Sequence, residues 1–143
     1  MNLEENIGIL VRNAHLNISN YVKKQLEPFH LAPEQNLIML MLWKKDGISP
    51  NEFSFKLNKD KANIARMIAS LEKKGYITKE DDPSDKRTFK VHLTEEGKHL
   101  ESLVLPVLRK THQTVINGIS EEQLVELQNL ISKMINNSLG GNE

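Results

Sequence analysis

The sequence predicts a mainly α-helical fold with a single small β-hairpin. Three observations carry this. Apolar residues recur at spacings of three and four along both ends of the chain. Two segments with helix-start chemistry lie about three residues apart in the middle. A strict alternation of polar and apolar residues follows them, with Phe89, Val91 and Leu93 between Thr88, Lys90 and His92. At 143 residues the chain has room for one domain, and 38% hydrophobic with 27% charged residues places it among folded proteins.

At the N-terminal end Leu3, Ile7, Val11, Ala14, Ile18, Tyr21 and Val22 fall on one helical stripe. A long amphipathic helix is therefore expected over 3–26, stopped before Pro28. Pro33 followed by Glu34 starts the next helix. Its stretch "LIMLMLW" (37–43) is apolar on every face until Lys44, Lys45 and Gly47 close it, so this helix is expected to be buried on all sides. In "SPNE" (49–52) Ser49 is the N-cap, Pro50 the first helical residue and Glu52 the reciprocal member of a capping box. The short helix that follows ends near Leu57. Asn58 supplies a left-handed turn, and "DKANIARMIASLEKKG" (60–75) places Ile64, Met67, Ile68 and Leu71 on one face, with Gly75 as the stop. Two helices joined so closely form a helix-turn-helix.

The hairpin begins near Tyr76–Thr78, with its turn in the charged run of "DDPSDKRTFKVHL" (81–93). Thr94, backed by Glu95 and Glu96, caps a second long helix with the stripe Leu100, Leu103, Val104, Val107, Thr111 and Val115, in which Pro106 predicts a kink. A last helix opens on a capping box from Ser120 to Gln123 and carries Leu124, Leu127, Leu130, Ile131, Met134 and Ile135 before a loose "GGNE" tail. The terminal stripes exceed what so small a central lobe could cover. A two-fold dimer built from them would bury the stripes and set two lobes side by side, the spacing of DNA half-sites roughly 34–36 Å apart.

Charge supports an anionic partner reached by one region. The chain is neutral overall, yet residues 48–93 hold ten Lys/Arg against seven Asp/Glu, and residues 94–143 hold four against seven. With no cysteine, disulfides, thiolate chemistry and zinc–thiolate sites are excluded. His15, His30, His92, His99 and His112 include no pair at i, i+3 or i+4, so no metal site is expected. Neither a phosphate loop nor a nucleophile–base pair is present, so neither enzymatic activity nor a cofactor is expected. An acidic N-terminus without a membrane-length apolar run points to the cytoplasm.

The stretch "SLEKKGYITKEDDPSDKRTFKVHLTEEGK" (70–98) resembles the signature of the MarR (multiple antibiotic resistance regulator) family of winged helix-turn-helix transcription factors. It has the L-E-x-K-G end of a recognition helix, a D-x-x-D-x-R wing and the L-T-x-x-G opening of a dimerisation helix. The resemblance implies a single domain over 1–143, with a DNA-binding lobe at 30–93 and dimerisation helices at 1–27 and 94–139. It further implies a homodimeric repressor of double-stranded DNA whose recognition helix enters the major groove and whose wing reaches the minor groove.

On that basis Lys61 and Arg66 are expected to contact phosphate and base edges, Asn63 to pair with adenine, and Ala62 and Ala65 to touch thymine methyl groups. The family more often has Ser or Thr at the two alanine positions. In the wing, Arg87 is the candidate for minor-groove insertion, Lys86 stands where Arg is commoner, and Asp85 is expected to orient the arginine. Ser49, Lys59 and Lys90 are further phosphate candidates, with Lys56 beside them, whereas Lys73 and Lys74 read as exposed charges at a helix end. The family commonly binds small aromatic or anionic effectors, and His15, Met39 and Trp43 are candidates to line such a pocket. The alternatives are a winged-helix protein-interaction module that does not bind DNA, such as an antirepressor or adaptor, and a zinc-responsive regulator.

Overall fold

Helix starts in this chain are set by side chains that accept the first free backbone N–H groups. The computed structural model describes residues 1–140. Asn6 is the first such cap: it stays extended, and its Oδ1 accepts the Ile9 N–H at 3.2 Å. This splits the single helix expected from Leu3 into a 3-10 turn, Leu3–Glu5, and helix α1, Ile7–Leu26. Helix α2, Pro33–Lys44, opens with Gln35 Oε1 accepting the Ala32 N–H. Helix α3, Pro50–Leu57, opens with Ser49 Oγ accepting the Glu52 N–H, one half of the expected reciprocal box, and closes on Asn58 at φ 52°. Helix α4, Lys61–Lys73, is capped by Asp60.

Strands β1, Ile77–Asp82, and β2, Asp85–Leu93, pair antiparallel from Ile77 opposite Leu93 to Asp81 opposite Phe89. The turn expected across the charged run narrows to Pro83 and Ser84, because the charges around it belong to the ladder, with Glu80 opposite Lys90. On its outer edge β2 gains a bridge from Ile48, whose N–H donates to Val91 O at 3.1 Å and whose carbonyl accepts the Val91 N–H at 2.8 Å.

The core comprises Leu26, Leu31, Ile38, Met39, Leu42, Ile48, Phe53, Ile64, Ile68, Leu71, Ile77, Val91, Leu100 and Val104. Every one lies between residues 26 and 104. Helix α2 is less enclosed than its composition predicts: Leu37 is 37% exposed, and Leu40, Met41 and Trp43 are half-buried. So small a lobe packs elements against one side of a helix and leaves the other in water. Lys74 also departs from expectation. It is partly buried, donating to His30 O at 2.5 Å and to Gln35 Oε1 at 2.7 Å, and burial holds its pKa below the usual lysine value.

Helix α5, Glu95–Val115, runs through Pro106 as one element. Its start is fastened to the hairpin stem. Thr94 N–H donates to Tyr76 O at 3.1 Å, Thr94 Oγ1 donates to Gly75 O at 2.6 Å and accepts the Gly97 N–H at 3.1 Å, and Trp43 Nε1 donates to Gly97 O at 2.9 Å. A Cβ on Gly97 would stand 2.0 Å from Tyr76 O. Only glycine lets the helix approach this backbone.

Helix α6, Glu121–Gly140, belongs to a second compact unit, His112–Glu143, and is described by itself. Both halves of its capping box form: Ser120 N–H donates to Gln123 Oε1 at 2.9 Å, and Gln123 N–H to Ser120 Oγ at 3.1 Å. Of the expected tail, Gly140 ends the helix and 141–143 lie outside the described residues. No helix among the described residues is long and apolar enough to cross a membrane.

Gly97→Ala is expected to destabilise the protein at or above the upper end of the roughly 1–3 kcal/mol typical of overpacking. Gly118→Ala, at φ 82° with no atom within 4 Å of the added carbon, is expected to cost only about 1 kcal/mol of left-handed strain. Urea midpoints of the two variants at unchanged slope measure the difference.

Candidate nucleic-acid interface

Helix α4 presents two opposed faces. Ile64, Ile68 and Leu71 are buried, Met67 packs half-buried against the core, and Lys61, Ala62, Ala65 and Arg66 are exposed. Every expected recognition-helix residue except Asn63 is therefore open to a partner. Asn63 is half-buried by its own helix start. Its N–H and its Nδ2 both donate to the Asp60 carboxylate, at 2.7 and 3.1 Å, and its Oδ1 accepts from Arg66 Nη2. The amide expected to pair with adenine therefore already has one Oδ1 lone pair and one Nδ2 hydrogen engaged within the chain.

At the tip of the hairpin, Asp82 Oδ1 accepts both the Ser84 N–H at 2.9 Å and the Ser84 hydroxyl at 2.7 Å, closing an Asx turn over Pro83. The Ser84 hydrogen bonds hold the Asp82 pKa below the ordinary aspartate value. Asp85 Oδ1 accepts from Arg87 N at 3.0 Å and from Arg87 Nε at 3.1 Å. The Arg87 side chain is nevertheless 91% exposed. An exposed ion pair contributes about 0–1 kcal/mol to stability, so the consequence of this contact is orientation: one edge of the guanidinium is held and Nη1 faces water. Lys86 and Lys90 are exposed on the same strand. The α4 group and the wing-tip group share no hydrogen bond or ion pair among the described residues.

Two stems brace the wing. Lys79 Nζ lies 5.1 Å from the centroid of the Phe89 ring and 3.7 Å from Glu72 Oε1 of α4. On the other face the His92 imidazole sits between Asp46 Oδ2 at 3.5 Å and Glu80 Oε2 at 3.4 Å, while Asp46 Oδ1 accepts the Leu93 N–H at 2.8 Å. Asp46 thus ties the α2–α3 loop to β2.

The remaining candidates divide. Ser49 keeps its cap position, half-buried, with its hydroxyl proton still available to donate. Lys56 is exposed. Lys59 pairs with Glu34 at 2.9 Å. Of the three effector candidates, His15 is exposed on α1, and Trp43 is half-buried with its N–H donated to Gly97. Met39 is fully buried, so it packs the core and faces no open pocket. An open hollow along α5 is lined instead by Lys98, Glu101, Ser102, Leu105, Pro106 and Arg109. Among the described residues no three His, Asp or Glu side chains stand together as metal ligands.

Sequence reasoning missed the roles of Asp60, Asp46 and Glu80. An aspartate just before the first helical residue is a readable N-cap signal, so Asp60 could have been found. The other two act across 46 and 12 residues of chain, from Asp46 and Glu80 to His92, and nothing local marks them.

The MarR family profile matches residues 31–89, the span from the start of α2 to the wing. A curated relative, the HTH-type transcriptional regulator BilQ of Clostridioides difficile (strain CD3), is 27% identical over 123 residues, covering 86% of this chain and 83% of its own. Over this span the chain is similar to the MarR family. MarR-family proteins are transcriptional regulators rather than enzymes. A MarR transcriptional regulator from Methanosarcina mazei Go1 is 28% identical with a TM-score of 0.82, over 94% of this chain and 96% of that one. A mutant MarR from E. coli, solved with operator DNA, has the same fold at 22% identity and a TM-score of 0.84, over 90% of this chain and 92% of that one.

The Asp82 turn carries a pH expectation. A depressed carboxylate pKa contributes stability that is present above the unfolded value and lost as pH falls through the folded one. The Ser84 amide resonance should therefore titrate with a midpoint below 3.8, the ordinary aspartate value, and Ser84→Ala should move the Asp82 midpoint back up.

Proposed function

We propose that this MarR-family regulator is a homodimeric repressor that binds a pseudo-palindromic operator in double-stranded DNA, in the cytoplasm. The observation that carries this reading is the division of α4, whose apolar face is consumed by the core while Lys61, Ala62, Ala65 and Arg66 stand open at its N-terminal half. A helix so presented fits the major groove, where an arginine fork pairs with guanine and a small apolar side chain meets a thymine methyl. The wing fits the flanking minor groove, with Arg87 as the inserted cation and Lys86 and Lys90 on phosphates. With alanines at 62 and 65, base reading on α4 rests on few polar groups.

The lobe at 30–93 is the DNA-binding part in this reading, and 1–27 with 94–139 hold the dimer. Support for the dimer comes from apolar side chains left in water. Leu3, Ile7, Leu10 and Val11 are 70%, 54%, 52% and 46% exposed, and Val125, Leu127, Leu130 and Ile135 are 56%, 46%, 48% and 53% exposed. Runs of this kind mark association surfaces rather than the scattered apolar residues of an ordinary monomer. Responsiveness to small ligands is typical of the family. A small aromatic or anionic effector that favours a different separation of the two recognition helices would release DNA by shifting that equilibrium, with His15 and the ring of Trp43 as its contacts on α1 and α2.

Selection from a randomised duplex library should return a two-fold symmetric site, and affinity for it should fall steeply as salt rises from about 50 to about 200 mM. A protein-interaction module would return no consensus. Arg87→Ala should weaken binding about tenfold or more and lower the salt slope by about one, with the dimer intact by sedimentation. Leu127→Asp should dissolve the dimer first and lose DNA binding as a consequence. Equal effects of the two variants on both assays would overturn the division of the chain.

A further inference from the structure

The first turns of α4 contain a directional chain of hydrogen bonds that DNA contact alone does not require. The Asp60 carboxylate is an acceptor only. One of its oxygens takes the Asn63 backbone N–H at 2.7 Å, as an N-cap should, and the other takes Asn63 Nδ2 at 3.1 Å. That second bond decides which way round the amide sits. With Nδ2 turned to the carboxylate, Oδ1 must face the opposite way, and there it accepts from Arg66 Nη2. A guanidinium has donors and no acceptor, so the opposite amide orientation would set donor against donor.

We propose that Asp60, acting through Asn63, is the positioning residue for Arg66 and thereby sets base discrimination at one position of each half-site. The inference rests on the assignment of Arg66 as a base-edge contact made above. It gives Asn63 a different task from reading adenine. A bidentate pair with adenine needs an acceptor and a donor of the amide, and here Oδ1 faces Arg66 and Nδ2 faces Asp60. The guanidinium, held at one nitrogen, keeps its other donors for the base. Arginine carries much rotamer entropy, and a side chain already held in its reading geometry loses less on binding. Lys61 and Ala62, which precede Asn63 in the same turn, are exposed and take no part in this chain of bonds.

The test uses the full-length protein and the duplex consensus it selects from a randomised library. A bidentate arginine–guanine pair discriminates by roughly 5- to 150-fold, so Arg66→Ala should flatten preference at one guanine in each half-site. Asp60→Ser keeps a capping oxygen for the Asn63 N–H and removes the second acceptor. It should lose several-fold of the preference at that same guanine, with the urea midpoint unchanged. Asp60→Asn, whose amide can donate to Asn63 Oδ1 and turn it from Arg66, should lose at least as much. Asn63→Ala should relax the guanine and leave any adenine preference alone, and Asp60→Ser combined with Arg66→Ala should lose no more than Arg66→Ala by itself.

Wild-type discrimination in Asp60→Ser, at a guanine that Arg66→Ala flattens, would sink the positioning role and leave the base contact standing. A uniform loss of affinity for all duplexes with a lowered urea midpoint would also sink it, by showing Asp60 to be a helix cap and nothing more. Relaxation of an adenine by Asn63→Ala would return that residue to direct reading. If Arg66→Ala flattens no position, or the library yields no consensus, the base-contact assignment falls and the positioning role falls with it.

Discussion

The close approach of Gly97 to the Tyr76 carbonyl is the constraint on which the lobe's geometry depends. At this point α5 meets the stem of the hairpin backbone to backbone, with no room for a side-chain carbon. The neighbouring hydrogen bonds use the same contact from both sides: Thr94 ties the helix start to Gly75 and Tyr76, and Trp43 brings α2 to the carbonyl of Gly97. Helix α2, the wing and α5 therefore meet at one joint. Helix α5 and the wing stem thus touch backbone to backbone, with no flexible side chain between them.

The second constraint is the small size of the lobe. Its core ends at Val104 and begins at Leu26, and the hydrophobic stripes outside those limits are left largely in water. Only the last turns of α1 reach the core, with Leu26 buried and Val22 packed beside it. In the proposed dimer this remaining apolar surface is what a second copy would cover. The same shortage explains why α2, apolar on every face, keeps Leu37 exposed.

Electrostatics in the interface arrange rather than stabilise. The ion pair Asp85–Arg87 and the hydrogen-bonded chain Asp60–Asn63–Arg66 lie on the surface, where such contacts contribute little to folding. Their common feature is an acidic residue that takes one edge of a donor group and leaves the rest pointing outward. The aspartates at the tip of the wing therefore do not cancel its positive charge: Asp82 shapes the turn, Asp85 aims Arg87, and Lys86 and Lys90 stay exposed. Lys59, by contrast, pairs with Glu34 of α2.

Local chemistry was legible in the chain itself. Ser49, Asn58, Thr94 and Ser120 mark helix boundaries through bonds that span only a few residues, and periodicity separated the buried face of α4 from its open one. The sequence by itself also carried the resemblance to the MarR family, because the wing and its flanking turns are contiguous. What it left open involves residues far apart in the chain or choices between equivalent local states. The split at Asn6, the core position of Met39, the pairing of Lys59 and the clamp of Asp46 and Glu80 on His92 each depend on which elements pack together. The orientation of the Asn63 amide is the finest case. Both orientations fit the same sequence, and only the placement of Asp60 on one side and Arg66 on the other decides between them, because a hydrogen bond has a direction that residue order does not encode.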